Sequence, residues 1–138
     1  MITPTEAAAR ASAHTSAGEA VVLTTDLVER LDGGAPYFLV TLGKDNGAGA
    51  VVAVNALTGE AMSSASLDQI DRHRLPDRGE AIRSAAFPGD AQARRVWAPS
   101  RATRSPFYPL WELTAGTRRA YVDTNGKVWD APGLEHRG

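Results

Sequence analysis

The sequence contains no cysteine, and this absence excludes several kinds of chemistry at once. Disulfide bonds, thiol catalysis and cysteine-ligated zinc all need that side chain. Long apolar runs are also absent: no segment approaches the roughly 18 consecutive apolar residues of a membrane-spanning helix, so we expect no membrane partner. The opening MITPTEAAARAS lacks the basic start and apolar stretch of a signal peptide, which favours a cytoplasmic protein and leaves a processed extracytoplasmic form open.

A large excess of charge of one sign is missing too. The 15 Lys and Arg residues nearly balance the 16 Asp and Glu residues, and the net charge is −1. Its distribution is uneven, because residues 1–65 carry a net −4 and residues 66–138 a net +3. This balance argues against a nucleic-acid partner, for which a strongly basic chain is expected. The opposite signs would instead help the two parts dock, or mark a side that faces a partner.

Enough apolar material is present for a core. Of the 138 residues, 43% are hydrophobic, which suits one compact domain or two very small repeats that share a core. Global disorder is therefore not expected.

Two helices are predicted from their start signals. Thr3 can cap a helix that has Pro4 at its first position and Glu6 three residues after the cap. Asp77 and Glu80 repeat this capping-box spacing. We expect the first helix to run to residue 17 and the second to about residue 87, where Pro and Gly follow.

Strands are predicted where β-branched and aromatic residues cluster between turn signals. Pro109 lies inside one such run, which predicts an edge strand or a bulge there. The run 19–31 has a helical alternative after Asp26, and residues 66–74 suggest a short connecting helix. The predicted strands are 19–31, 37–42, 51–54, 60–64, 91–97, 107–113, 119–123 and 127–130.

The same hairpin pattern occurs twice. VVAVNALTGEAMSS (51–64) and AYVDTNGKVWD (120–130) both have an apolar run, a polar turn ending in glycine, and a second run. Gly59 then corresponds to Gly126, and glycine suits a tight turn because it adopts positive φ without steric cost. Before each hairpin comes an aromatic strand that follows a proline. When these two strands are aligned, Leu39 and Val40 correspond to Leu110 and Trp111.

This repeat predicts an α+β fold built as a tandem helix-plus-antiparallel-meander repeat with a pseudo-two-fold relation. One helix on a curved sheet buries a face of both elements. The predicted division is a first repeat at 1–65, a linker at 66–76, a second repeat at 77–131 and a flexible tail at 132–138, within one compact domain overall.

The hairpin segment Val54-Asn55-Ala56-Leu57-Thr58-Gly59-Glu60-Ala61 resembles the Val-Asp-x-x-Thr-Gly-Glu-Val pattern of PepSY-like domains and their cystatin-like relatives. Together with the opening MITPTEAA, it is also similar to small immunity proteins of bacterial polymorphic toxin systems. The matching residues shape turns and cores and carry no chemistry. The resemblance implies a binding or inhibitory module, although two copies and no export signal depart from the PepSY-like pattern.

No set of residues requires catalysis. His14, His73 and His136 form no spaced pair that could hold a metal, and no G-x-S-x-G occurs. The glycine-rich segment 43–49 is followed by a strand, not by the helix that a phosphate-binding loop needs. We therefore assign no catalytic residues, no metal ligands and no cofactor.

The segment WAPSRATRSPFYPLW (97–111) is the first candidate for a functional surface, because it concentrates Pro, Arg and aromatic residues. Trp, Tyr and Arg dominate binding hot spots. The predicted interface consists of Trp97, Arg101, Arg104, Tyr108, Trp111, Arg118 and Arg119.

The function expected from these features is that of a non-enzymatic protein-binding module, an inhibitor or immunity-type protein whose partner is a toxin or another enzyme. The alternative is a small ligand-binding or tailoring protein of a biosynthetic pathway with an aromatic-lined pocket. Self-association through an exposed edge strand, giving a homodimer, also stays open.

Overall fold

The computed structural model of the chain describes residues 1–14, 21–43, 49–67, 75–99 and 107–129. Over these ranges it contains two helices and eight strands, which confirms the predicted α+β class. The chain divides into two compact units. Unit 1 is Met1–Val28 with Gly34–Arg74, and unit 2 is Glu29–Gly33 with Leu75–Gly138. None of the helices in the described part of the chain is long and apolar enough to cross a membrane.

Unit 1 is a helix followed by an antiparallel meander. Each strand pairs with the next one along the chain. Its second strand is buried along its whole length, and the third is buried at every position except its two ends. The elements are α1 (Pro4–His14), β1 (Val21–Arg30), β2 (Tyr37–Gly43), β3 (Gly49–Asn55) and β4 (Ala61–Leu67).

Helix α1 begins as its sequence predicts. The backbone N–H of Glu6 donates to Oγ1 of Thr3 at 3.1 Å, which satisfies one of the free amide groups of the first turn. Ala7 and Ala11 are fully buried and pack in a cluster with Phe38, Val40 and other strand residues. Small side chains on this face let the helix approach the sheet closely. The segment 15–20, into which the predicted helix continued, lies outside the described residues.

Unit 2 repeats the order of helix and antiparallel meander. The last residues of β1, Glu29 and Arg30, belong to this unit and pair in parallel with Val96 and Trp97. The hydrogen-bonded order of the mixed sheet is β4-β3-β2-β1-β5-β6-β7-β8. The elements of unit 2 are α2 (Arg78–Ala85), β5 (Gln92–Trp97), β6 (Leu110–Ala115), β7 (Arg118–Val122) and β8 (Val128–Trp129).

Helix α2 has the predicted capping box. The carboxylate of Asp77 accepts from the backbone N–H of Glu80 at 2.8 Å, and the Glu80 carboxylate accepts from the backbone N–H of Asp77 at 3.3 Å. The bond from the Glu80 amide is the main reason that the pKa of Asp77 lies below its ordinary value. The helix ends at Ala85, and its cap residue Ala86 has a left-handed φ of 55° that stops the helix just before Phe87.

Three expectations from the sequence differ from the structure. β1 stays a strand through Arg30, because residues 24–28 pair continuously with β2, so the helical alternative after Asp26 does not form. Pro109 precedes β6, which pairs with both β5 and β7, so this strand is neither an edge nor bulged at the proline. β4 continues through Ser66 and Leu67 into the segment assigned to a linker. Residues 68–74 and the predicted tail lie outside the described residues.

Candidate functional site

The most distinctive surface of unit 2 lies on the side of its sheet that carries α2. Successive side chains of a strand alternate between the two faces, so this side is lined by every second residue of β5, β6 and β7. Ala81 and Ile82 of the helix pack there with Leu113 and Val122, while Trp111 and Phe87 lie at the margins of the cluster. Aromatic side chains therefore border the helix instead of lying beneath it.

At the start of α2, Trp111 is held in place by two different contacts. Its indole Nε1–H donates to the carbonyl oxygen of Pro76 at 2.7 Å, immediately before the helix cap. The guanidinium of Arg95 lies 4.2 Å from the Trp111 ring centroid and donates to the same Pro76 oxygen at 3.2 Å. Both side chains are half-buried. The indole is thus fixed in orientation while part of its surface stays open to solvent.

At the end of α2, a second aromatic ring carries a cation. The guanidinium of Arg118 lies 4.3 Å from the Phe87 ring centroid, with Arg118 exposed and Phe87 half-buried. A cation over a ring in this range is attracted by roughly 0.5–1 kcal/mol at an exposed site. We call the two stacks that flank the helix, Arg95 on Trp111 and Arg118 on Phe87, the α2 surface.

The structure brings only part of the predicted interface together. Trp111 and Arg118 lie on the same face of the sheet. Arg119 follows Arg118 directly and therefore points to the opposite face. Trp97 is buried, with the Arg30 guanidinium 4.8 Å from its ring centroid, and Tyr108 is half-buried. Arg101 and Arg104 lie outside the described residues.

Sequence reasoning missed Arg95 and Phe87, the partners that complete the two stacks. The alternation in Gln92–Trp97 does assign Arg95 to one face of its strand. Its neighbour is set by the register of β5 on β6, in which Arg95 lies opposite Trp111. A pairing between residues so distant in sequence has no local signal.

The opposite face of the unit 2 sheet carries a polar network around Glu112, which is 7% exposed. One carboxylate oxygen accepts from Arg94 Nε at 2.6 Å, and the other accepts from the Tyr121 hydroxyl at 2.9 Å. Arg94 also donates to the Glu29 carboxylate at 2.9 Å. Each oxygen of the buried carboxylate therefore accepts a hydrogen bond from a protein group, which indicates a structural role for Glu112.

The electrostatics of this network agree with its geometry. Burial opposes ionisation of Glu112 and is the strongest single influence. The bonds from Arg94 and Tyr121, together with the positive charges of Arg94 and Arg119, outweigh it and lower the pKa of Glu112. Burial and the bond to Glu112 raise the pKa of Tyr121, and the bond to Glu112 is the main reason that the pKa of Arg94 is raised. All three groups therefore keep their ordinary neutral-pH protonation, and the carboxylate stays ionised.

Two other kinds of site, a metal site and a ligand pocket, have little support among the described residues. The described residues contain no group of three or more His, Asp and Glu side chains arranged to hold a metal ion. An open cleft of unit 2 is lined by Pro88, Asp90, Ala91, Gln92 and residues 114–116. No aromatic side chain lines this cleft, so it gives the alternative of an aromatic-lined ligand pocket no support.

Comparison with known proteins assigns neither a family nor a function to the chain. No protein-family model matches the chain, and no curated protein matches it in sequence. Among solved structures, the chain is similar to a candidate lipoprotein from Clostridium difficile 630, with 12% sequence identity, 81% of each chain covered and a TM-score of 0.36. A similarity of that size supports no conclusion about fold or function.

Proposed function

We propose that the protein is a non-enzymatic protein-binding module, an inhibitor or immunity-type protein, and that it binds its partner through the α2 surface. The observation that carries the proposal is Trp111, an indole that is partly exposed, stacked by Arg95 and oriented by its hydrogen bond to Pro76. An aromatic side chain fixed in this way loses little conformational entropy when a partner covers it.

The composition of the α2 surface supports the same function. Its cations, Arg95 and Arg118, are already stacked on rings, so each presents guanidinium donors from a defined position. Trp and Arg are the residues most often found at binding hot spots, and these lie around a helix rather than at a cleft. A toxin or another enzyme with an acidic and apolar patch would fit this chemistry.

We further propose that the two units are tandem copies of one PepSY-like, cystatin-like repeat related by a pseudo-two-fold. The hairpin geometry supports this interpretation. Gly59 donates to the carbonyl of Asn55 with φ at 80°, and Gly126 donates to the carbonyl of Asp123 with φ at 84°. The side chains of Asn55 and Asp123 both accept from backbone amides of their own turn.

The sheet registers support the repeat as well. Leu27 pairs with Phe38, which pairs with Val54, and in unit 2 Arg95 pairs with Trp111, which pairs with Val122. In these registers Phe38 occupies the position that Trp111 occupies in unit 2. The alignment based on the prolines instead places Val40 at the position of Trp111, a difference of two residues.

Binding through the α2 surface is tested by capture from a lysate of the source organism on immobilised chain. We expect one protein to be retained in stoichiometric amount by the wild type and to be lost on Arg118→Glu, which changes an exposed side chain. Trp111→Phe should weaken retention, because it keeps a ring under Arg95 but removes the bond to Pro76. Arg10→Glu makes the same charge change in unit 1 and should retain the protein.

Circular dichroism would establish that each variant is folded before capture. A protein retained equally by the wild type, Arg118→Glu and Trp111→Phe would show that the α2 surface is not the contact. Recovery of no protein partner would count against the proposed function itself.

A further inference from the structure

The guanidinium of Arg118 has a defined position at the end of α2, 4.3 Å from the ring centroid of Phe87. Both sides of this stack are fixed by local structure. The backbone N–H of Phe87 donates to the carbonyl of Ile82 at 3.0 Å, and its ring packs against the core of unit 2. Arg118 begins β7 directly after a tight turn in which Gly116 has a φ of 60°. The cation is therefore positioned before any partner binds.

The N–H donors of Arg118 remain available in this arrangement. A guanidinium that stacks on a ring uses its flat face, so the donors along its edge point away from the contact. Arg118 is exposed, and no described residue accepts a hydrogen bond from it or forms an ion pair with it. This includes Asp90, the first carboxylate that follows Phe87 along the chain.

The other arginines in the described part of unit 2 lack this combination. Arg95 also stacks on a ring, but it donates to the carbonyl oxygen of Pro76. Arg83 and Arg119 stack on no aromatic ring of the described residues. The remaining three donate to oxygen atoms of the chain: Arg30 to Asp32, Arg78 to Ala91, and Arg94 to both Glu29 and Glu112. Arg118 therefore differs from them in being oriented by a ring while its donors are unused by described groups.

We infer that Arg118 binds a carboxylate of the partner, an Asp or Glu side chain, through two parallel N–H···O bonds, an inference that rests on the proposed function and names the chemistry of its contact. The guanidinium and carboxylate groups are both planar, and their paired donors and acceptors match. Because the Phe87 ring already restricts the guanidinium, less side-chain entropy is lost when the pair forms.

A carboxylate fits Arg118 better than a phosphate group. A phosphate on a side chain carries a charge of about −1.5 to −2 at neutral pH, and clusters of arginines recognise it. No such cluster surrounds Arg118 among the described residues. Arg95 is committed to Pro76, and the guanidinium of Arg83 lies beside Gly79, one turn back towards the start of α2. A single guanidinium matches the single charge of a carboxylate.

The probe for this site is a short synthetic peptide with one glutamate between leucines and with both ends blocked, so that the glutamate supplies its only charge. Nuclear magnetic resonance of the arginine side chains follows its titration into the full chain. The Nε–Hε signal of Arg118, identified by its loss in Arg118→Lys, should shift as the peptide binds. A matched peptide with glutamine should bind about tenfold more weakly, because its amide is neutral and offers one acceptor oxygen.

Substitutions separate a paired contact from simple charge attraction. Arg118→Lys keeps the charge but should weaken binding of the glutamate peptide by about tenfold, since an ammonium lacks the planar pair of donors. Phe87→Leu should weaken it by about two- to fivefold, because the ring that orients the guanidinium is lost. Arg119→Lys makes the matched change on the opposite face of the sheet and should leave binding unaltered. Circular dichroism establishes that each variant is folded.

Four results would overturn the inference. Equal affinity for the glutamate and glutamine peptides would show that the carboxylate is not recognised, and unchanged affinity in Arg118→Lys would show charge attraction alone. Tighter binding of a peptide with phosphoserine in place of glutamate would make phosphate the ligand. A shift of the Arg118 signal on Asp90→Asn, without peptide, would show that the chain's own carboxylate occupies the guanidinium.

Capture from the lysate distinguishes this site from the proposed function. A protein retained equally by the wild type and Arg118→Lys, but lost on Trp111→Phe, would support binding through the α2 surface and overturn the carboxylate pair. Recovery of no protein, while the glutamate peptide still shifts the Arg118 signal and the glutamine peptide does not, would count against the proposed function and support the carboxylate site.

Discussion

The two units have the same order of elements but different chemistry at matching positions of their sheets. In unit 1, Asp26 of β1 pairs with Leu39 of β2, which pairs with Ala53 of β3, so two residues of this row are apolar. In unit 2 the row at the same place consists of Arg94, Glu112 and Tyr121. Arg94 forms an ion pair with the Glu112 carboxylate, and the Tyr121 hydroxyl donates a hydrogen bond to it. The same order of strands therefore accommodates a mostly apolar row of residues in one unit and an ion-paired row in the other.

The neighbouring positions show the same contrast on the helix side. Phe38 lies opposite Val54 and is 2% exposed, whereas Trp111 lies opposite Val122 and is half-buried. The unit 1 ring belongs to the core, and the unit 2 ring is shared between core and surface. The comparison shows that the order of elements sets the scaffold, while single residues at the margins of the helix decide which unit leaves an aromatic ring partly exposed.

The largest expected effect concerns these two rings. Phe38→Ala should lower the free energy of unfolding by about 4 kcal/mol, because it leaves a cavity in a closed core. Trp111→Ala should cost about 2 kcal/mol, since part of the ring is already in contact with water. Urea denaturation followed by circular dichroism measures both. Equal losses for the two variants would contradict the assignment of Trp111 to a surface.

The next effect contrasts the two hairpin turns. Asp123 is 7% exposed and accepts from the amides of Asn125 and Lys127 and from Trp129 Nε1, at distances of 2.9, 2.9 and 3.0 Å. Asp123→Ala leaves the buried indole N–H without its partner and should cost about 3 kcal/mol. Asn55→Ala, in the unit 1 turn, should cost about 1 kcal/mol, because Asn55 serves only amides at its own turn.

Tryptophan fluorescence gives a specific measurement for the Asp123 variant. Trp97, Trp111 and Trp129 all belong to unit 2, so the emission of the chain reports on that unit. Asp123→Ala should change emission in the native state through Trp129, and Asn55→Ala should not. An unchanged emission in Asp123→Ala would show that the bond to Trp129 does not persist in solution.

The smallest expected effect concerns the Glu112 network, and it depends on pH. Glu112→Gln should lower the free energy of unfolding by about 1–2 kcal/mol at neutral pH, because it weakens the bond from Arg94, which is itself half-exposed. The pKa of Glu112 is depressed in the folded chain, so its stabilisation is present above the ordinary value of 4.5 and is lost as pH falls through the folded value.

The difference in stability between the wild type and Glu112→Gln should therefore be largest near neutral pH and shrink in acid. Leu39→Val, at the matching position of unit 1, provides a control whose cost should not vary with pH. A difference for Glu112→Gln that is constant down to strongly acidic pH would contradict the depressed pKa.

Local signals predicted the starts of elements well. The Thr3 and Asp77 caps, and the turn glycines Gly59 and Gly126, all adopt the expected conformations. Each depends on hydrogen bonds or dihedral angles within a few residues, which sequence specifies directly. Pro109 misled the prediction because proline restricts its own backbone but does not say whether a strand begins just after it.

The candidate site could be predicted only in part. Trp111 and Arg118, both members of the predicted interface, each stack with another side chain in unit 2. Their partners Arg95 and Phe87 were not predictable, because pairing across strands and around a helix end depends on register. The Glu112 carboxylate was missed for the same reason, although an acid inside the apolar run LWELT is a usable sign of a buried partner.

The sequence by itself determined the α+β class, both helix caps, the two glycine turns and the absence of cysteine chemistry, since all of these depend on composition or on neighbouring residues. Tertiary structure decided that Trp97 is buried while Trp111 is partly exposed, that Arg118 and Arg119 point to opposite faces, and that Val21, Leu23 and Leu27 of β1 are exposed. Burial and register are properties of packed strands, and no local stretch of sequence specifies which distant strand will pack against it.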